Sequence, residues 1–581
     1  MSLRGRRAIL AGSMGFVCAS LGTSSAFAQA VPGALPSREQ VEIPRTTGIK
    51  PEARATVRDD SPKAATCPFA DSSIEVRIDR LRYAQPDGTS LPSGALDALN
   101  GLAPAPDVRK LSQLCDLRDS AANILRASGY VAGVTIPPQE ITTGEAILTV
   151  ILARLTDVRI EGAPGPYRRA LEARIARLKA LPALNTREIE RILIGANDLP
   201  GLQVAMNLRA AGTGPGEVTG DLAVRYTPFA ILANVQNMGS RTLGRESGTL
   251  RLEYYGLTGH ADRTFIGVSS TADVDEQQVV QLGQYFGTDR GTTFGGRFSY
   301  AWSRPSIGAL KLSSRSLIGG FDVSTPLARS VRATADLGGG FEIIQQQIQL
   351  KTSIGGIPIT EDKLRIAYLR LSGSLRAPQF AGPDRWALGG SLEVRKGFDI
   401  FGATETGRLT PAGYGPSRFD GDASATVVRA GLNGFVGLGR LVSIGGVVQG
   451  QWASDPLLSF EEFSVGNLTL GRGYDPGATS GDKAVGARIE PRVLLPIKSR
   501  IGAQVFGFYD VVRIWNEDPF TLEDGRSLRS FGGGIRASLA GKLSLEAMYA
   551  HPLDPELRFP GTRRASDRVL LSLNFQFSPR R

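Results

Sequence analysis

From about Pro228 to Phe577 the chain is written in a two-residue period, with apolar side chains on one face of each run and polar or charged ones on the other. Ile501, Ala503, Val505 and Tyr509 alternate with Gln504, Phe506, Phe508 and Asp510. Ala487, Ile489, Val493 and Leu495 alternate in the same way with Arg488, Glu490 and Arg492. Successive side chains of a strand point to opposite faces, so such runs predict strands with one apolar and one charged face. The final run places Val569, Leu571, Leu573, Phe575 and Phe577 on one face, and only Ser578 to Arg581 follow.

No uncharged apolar run of about 18 residues, the length that suggests a transmembrane helix, follows the first 28 residues. Membrane residence therefore has to come from strands, and an apolar outer face with a charged lumen predicts a transmembrane antiparallel β-barrel. Sharing about 350 residues among 16 strands leaves about 22 for each strand and its connection, against about 9 to 11 for a crossing. Sixteen strands are expected, though 12 or 18 fit the same arithmetic.

Ahead of the barrel, Arg4, Arg6 and Arg7 precede an apolar stretch from Ala8 to about Gly22 and then Ala26-Phe27-Ala28. This predicts a signal peptide over 1–28, cleaved before Gln29. Removing its three arginines lowers the net charge from +11 to +8. The remaining basic residues are dispersed, which argues against nucleic acid as a partner and fits lipopolysaccharide-facing loops and a charged lumen. Residues 29–65, with Pro32, Pro36, Pro44, Pro51 and Pro62, predict a proline-rich linker in which Arg38 to Ile43 hold at most a short helical turn.

Two α+β modules are predicted between linker and barrel, at 66–155 and 156–226. The first reads as a strand from Ser72 through Ile74, Val76 and Ile78, helices near Ala95–Leu102 and Leu117–Ser128 with Gly129 as the stop, then strands Val131–Ile136 and Ala146–Leu155. The second repeats that order with Val158–Glu161, Tyr167–Leu181, Thr186–Ala196, Leu202–Leu208 and Glu217–Arg225. A three-stranded sheet necessarily has free edges. Once Cys18 leaves with the signal, Cys67 and Cys115 remain as an even pair in an oxidising compartment. A disulfide there would stabilise the fold by about 4 kcal/mol on the chain-entropy argument; two reduced, buried thiols are the alternative.

At this point the chain resembles the two-partner-secretion transporters of the haemolysin secretion and activation type, within the superfamily of outer-membrane insertases and translocases. The resemblance runs over about 65–577. It rests on Cys67, Cys115, Gly129-Tyr130-Val131 and Ile136-Pro137-Pro138-Gln139 to Gly144 in the first module, and on Glu188 to Ile194 and Asn197-Asp198-Leu199-Pro200-Gly201 in the second. Asn237-Met238-Gly239-Ser240 opens the barrel, and Leu470-Gly471-Arg472-Gly473-Tyr474 is similar to the tip of the family's sixth extracellular loop.

The resemblance implies that this loop, near 466–483, folds back into the barrel and that Arg472 reaches an aspartate on the wall. By position in its motif that aspartate is Asp510, in Phe506-Gly507-Phe508-Tyr509-Asp510. It also implies that the modules are POTRA-like domains in the periplasm, and that an unfolded, secreted client protein threads a monomeric barrel seated in outer-membrane lipid and lipopolysaccharide. An N-terminal helix that plugs the barrel is common in the family; the short, proline-rich 29–65 argues against one here. An insertase of other barrels is the closest alternative, but it usually carries more than two modules.

Enzymatic chemistry is not expected. His260 and His551 are the only histidines and have no metal-ligand spacing, and neither a GxSxG elbow nor a GxxxxGK[ST] phosphate loop occurs. No cofactor or metal is implied.

Overall fold

The computed structural model describes residues 36–42, 66–105, 107–307, 310–353, 355–377, 385–497, 500–518, 524–557 and 565–579. The expected signal peptide lies outside these, as does most of the expected linker.

The first module packs helices Ser93–Leu99 and Gln113–Ala127 on a three-stranded sheet in which Glu145–Leu152 is central. Arg80–Ala84 runs parallel to that central strand and Ala132–Thr135 antiparallel. Leu148, Val150, Ala121 and Leu125 close the core. Gly129 stops the long helix with φ +92°, where a Cβ would come within 2.7 Å of the Asn185 side chain.

One sequence expectation is corrected in this module. The alternation Ile74-Val76-Ile78 does not form the sheet strand; only Glu75–Val76 is extended and pairs with Arg109–Lys110. Ile78 is buried against Leu114 and Ala146, but Ile74 is exposed. The sheet strand begins at Arg80 because Leu81 and Tyr83 are the side chains that meet the core cluster. Cys67 and Cys115 form a disulfide that ties the entering chain to the long helix, with 5.7 Å between Cα atoms.

The second module has the same plan. Arg154–Glu161 runs parallel to the central Glu217–Tyr226, Leu202–Ala210 runs antiparallel to it, and helices Arg168–Lys179 and Thr186–Asn197 cover one face. Asn185 caps the latter helix, its side chain accepting from the Arg187 amide. Main-chain bonds from Val131 N to Leu184 O and from Thr186 N to Gly129 O stitch the modules together.

The rest is a closed barrel of 16 antiparallel strands, from Phe229–Gln236 to Arg568–Phe577, which pair with each other. Alternation places Val569, Leu571, Leu573, Phe575 and Phe577 on the exposed outer face. Three neighbouring strands, Leu310–Arg329, Ala333–Thr352 and Gly355–Arg376, reach 20, 20 and 22 residues, beyond the span a crossing requires. No helix among the described residues is long and apolar enough to cross a membrane.

Candidate functional site

Between strands Val442–Ala453 and Lys483–Leu495 the chain turns inward instead of outward. The stem of this sixth loop is a small hairpin of Phe463–Val465 with Thr479–Gly481. Its tip is closed by main-chain bonds from Asn467 N to Tyr474 O and from Tyr474 N to Gly471 O. Gly471 has φ +104°, a conformation that glycine adopts without strain. Gly473 lies against the wall: a Cβ there would sit 2.8 Å from Ser530 Cβ and 2.9 Å from Pro552 N. Leu470 is buried with Val465, Ala484, Val512 and Ile514, and the Tyr474 hydroxyl donates to Arg529 O at 2.8 Å.

The expected pair of Arg472 with Asp510 is not what holds the tip. Asp510 Oδ2 accepts the main-chain N–H groups of Gly471 at 3.0 Å and Arg472 at 2.8 Å. The same carboxylate receives Arg488 Nε at 2.7 Å and Nη2 at 2.8 Å, so both of its oxygens are engaged. The Arg472 side chain passes on to Glu490, with Nη1 at 2.6 Å from Oε2, and lies over the rings of Phe506 and Phe508. Geometry decides this. The aspartate is short and already fills the space beside the tip backbone, while the longer arginine reaches the next inward-facing row. Glu490 also takes Arg492 Nε at 2.7 Å and Arg536 Nη1 at 2.5 Å, so three guanidinium groups converge on one buried carboxylate.

A second segment also enters the lumen. Residues Arg38–Val41, inside the expected linker, form one helical turn whose first amide, that of Ser37, donates to Gln40 Oε1 at 3.0 Å. Arg38 bonds to Glu342 on the wall at 3.3 Å and to Glu461, at the root of the sixth loop, at 2.7 Å. Val41 is fully buried among Val279, Ala301 and Ile318, and its carbonyl accepts from Ser299 Oγ at 3.0 Å. The proline-rich segment argues against a plugging helix, yet the short turn it allows within Arg38 to Ile43 forms at Arg38–Val41 and reaches the barrel wall. A single turn is enough here, because a charged end and one apolar side chain both find partners.

Residues 223–537 match the model of the family described as Haemolysin secretion/activation protein ShlB/FhaC/HecB, over half of the chain. The chain belongs to that family. It is a two-partner-secretion transporter of the outer membrane, carrying a secreted partner protein across it. The heme/hemopexin transporter protein HuxB of Haemophilus influenzae is 21% identical over 482 residues, covering 76% of this chain and 78% of that one. CdiB from Escherichia coli shares the fold with a TM-score of 0.68 at 17% identity, over 90% of this chain and 94% of that one. CdiB from Acinetobacter baumannii does so with 0.62 at 16%, over 91% and 96%.

In this transporter the lumen charges continue beyond the residues the sequence singles out. Arg395 is fully buried and bonds to Glu342 at 2.6 Å and Glu461 at 2.8 Å, and Arg429 adds a third cation to Glu461 at 3.2 Å. Burial pushes the Glu461 carboxyl up, but Arg395, Arg429 and Arg38 outweigh it and hold the group down at about 2. Glu393 and Arg395, on the strand Trp386–Gly397, have the same two-residue spacing as Arg488, Glu490 and Arg492, a signal by which the sequence marks them too.

Above the lumen, Arg418 from the fifth loop joins the sixth and seventh. Its guanidinium meets Glu462 at 3.0 Å, both oxygens of Asp482, and Asp518 at 2.5 Å. Burial pushes the Glu462 carboxyl up to about 7, with Asp482 and Asp518 adding to that against the pull of Arg418.

Proposed function

We propose that the transporter takes its client unfolded from the periplasm, on the free edges of its two N-terminal modules, and passes it through a lumen that the sixth loop and the N-terminal turn occupy at rest. The observation that carries this is the lumen itself: two chain segments lie in it, each held by ion pairs and hydrogen bonds with one buried apolar side chain, Val41 in the turn and Leu470 in the tip. Groups freed from such anchors can take water in their place, so their release into a wet lumen leaves no polar atom unpaired.

In this reading residues 1–28 are a signal peptide, 66–155 and 156–226, with their boundary moved to Ala153 by the strand Arg154–Glu161, are POTRA-like domains in the periplasm, and 227–581 is a monomeric barrel in contact with outer-membrane lipid and lipopolysaccharide. Arg80–Ala84 and Arg154–Glu161 are edge strands of their sheets. An unfolded chain can add to such an edge through main-chain hydrogen bonds that depend little on its sequence. Folding of the client outside then gives direction without nucleotide. Leu470 to Tyr474 form the retained tip, Asp510 and Arg488 hold its backbone, and Glu490 with Arg492 holds its arginine. No catalytic role is assigned to any of them.

The test is deletion of the gene in its host, followed by mass spectrometry of the proteins released at the surface and into the medium. Loss of one large exported protein, with other barrels unchanged, is the expected result. A general fall in outer-membrane barrels would show an insertase instead.

A further inference from the structure

The three overlong strands carry a pattern on their outer face that transport does not use. Cross-strand pairing sorts their outward side chains into rows. Val323, Gly339 and Leu369 form an apolar row, with Phe321, Phe341 and Ala367 above it. The next rows up are Gly319-Ile343-Arg365, Leu317-Gln345-Lys363 and Arg315-Gln347-Glu361. The outer face thus changes from apolar to cationic within two rows.

Height places this change at the membrane boundary. From Ala333, at the periplasmic end, to Ile343 is about ten residues, or about 33 Å along a strand, and at the usual tilt this rises about 25 Å, the height of the apolar band of an outer-membrane barrel. Arg365 therefore stands at the upper edge of the hydrocarbon, and Lys363 and Arg315 stand in the head-group layer. Trp302, paired with Arg315 and exposed, is the kind of aromatic that marks such an interface.

The charges on this face are not balanced. Glu361 is taken by Lys363 at 2.8 Å. The Arg365 guanidinium donates only to main-chain carbonyls, those of Ile344, Leu364 and Phe401, and its buried Nε has no partner among the described residues. Arg315 is exposed, and among the described residues no carboxylate lies within ion-pair distance of it. Phe401, whose carbonyl Arg365 holds, has φ 51° and is 77% exposed, an apolar residue left open to its surroundings. These rows hold three cations against one carboxylate, with Arg315 exposed, Lys363 paired to Glu361 and Arg365 largely covered; an excess of cations at head-group height beside exposed apolar side chains suits an amphiphile with an anionic head.

We propose that this face, built on Arg315, Lys363 and Arg365, binds the phosphate groups of outer-leaflet lipids. The inference deepens the lipid contact proposed above and rests on the outer-membrane location; it does not depend on how the client is carried.

The test uses the full chain in detergent micelles, with lipid A binding read by native mass spectrometry and folding checked by heat-modifiable migration. Diphosphorylated lipid A should bind at least tenfold more weakly to the combined variant Arg315→Gln, Lys363→Gln, Arg365→Gln than to the unaltered protein. Enzymatically dephosphorylated lipid should bind the unaltered protein as weakly as it binds the variant. Should the combined variant fail to fold, Arg315→Gln alone should lose about threefold and Arg315→Lys should restore it. Equal affinity of the variant, or no preference of the unaltered protein for the phosphorylated lipid, would overturn the proposal. Competition by inorganic phosphate at the lipid's own concentration would overturn the lipid assignment. None of these readings involves secretion, so a failure here is separate from a failure of the transport reading.

Discussion

Arg488 grips Asp510 through two nitrogens at 2.7 and 2.8 Å, and this pairing turns the loop-tip arginine away to Glu490. The tip is thereby held at two separate points, one through its backbone and one through its side chain.

Asp510→Ala should therefore loosen the tip more than Arg472→Ala does. The first removes the acceptor of two buried main-chain amides and leaves Arg488 without its carboxylate, at a cost of about 3 kcal/mol or more. The second removes one ion pair and the contact with two rings, while Glu490 keeps Arg492 and Arg536. Hydrogen exchange at Gly471–Tyr474 reads the order. Both variants should assemble as barrels, and both should impair secretion. Normal secretion by Arg472→Ala would remove the inserted tip from the transport cycle.

Arg38→Gln is expected to free the N-terminal turn. It leaves Glu342 and Glu461 with Arg395 and removes the charged anchor that the turn places on both. In planar bilayers the variant should show more frequent or larger conducting openings than the unaltered protein, with heat-modifiable migration unchanged. Conductance that stays the same would mean the turn does not limit the pore.

Substituting both Cys67→Ser and Cys115→Ser should lower the stability of the first module by up to about 4 kcal/mol, since the bond closes a loop with a sequence separation of 48. Limited proteolysis should then cut within 66–152 at lower protease concentration. Strands of the barrel should resist as before, because the bridge touches none of them.

The clasp of Arg418 with Glu462, Asp482 and Asp518 should weaken as pH rises. A carboxyl at about 7 against an ordinary 4.5 stays protonated longer in the closed loops than in opened ones. It thus contributes stability that is complete below about 4.5 and is lost as pH rises through about 7. Exchange of amides in 454–482 should accelerate across that window, and Glu462→Gln should flatten the profile. A profile that keeps its slope in the variant would point to another group.

The parts of this molecule that repeat were legible in the sequence. The module helices and most of their strands follow from apolar spacing, and the inward faces of Lys483–Leu495 and Ile501–Trp515 follow from alternation. The first module's opening strand was misplaced because Ile74, Val76 and Ile78 alternate in a segment where only Ile78 finds a core to enter. The partner of Arg472 was missed for a different reason. A motif names the residues of a tip, but the row each side chain reaches depends on depth of insertion, and Glu490 lies one inward row beyond Asp510. Arg38 left no periodic signal at all, since one helical turn between prolines has none to give.

Glu461 is shared: the N-terminal turn, the barrel-wall arginines and the sixth loop that carries it all meet on that one carboxylate. Two segments bound to a common group are thermodynamically linked, and linkage is reciprocal. Whatever factor release of the turn adds to the freedom of the loop, release of the loop adds to the freedom of the turn. A client that displaces either one thereby lowers the work of displacing the other, so clearing the passage is a cooperative event with no fixed order of departure.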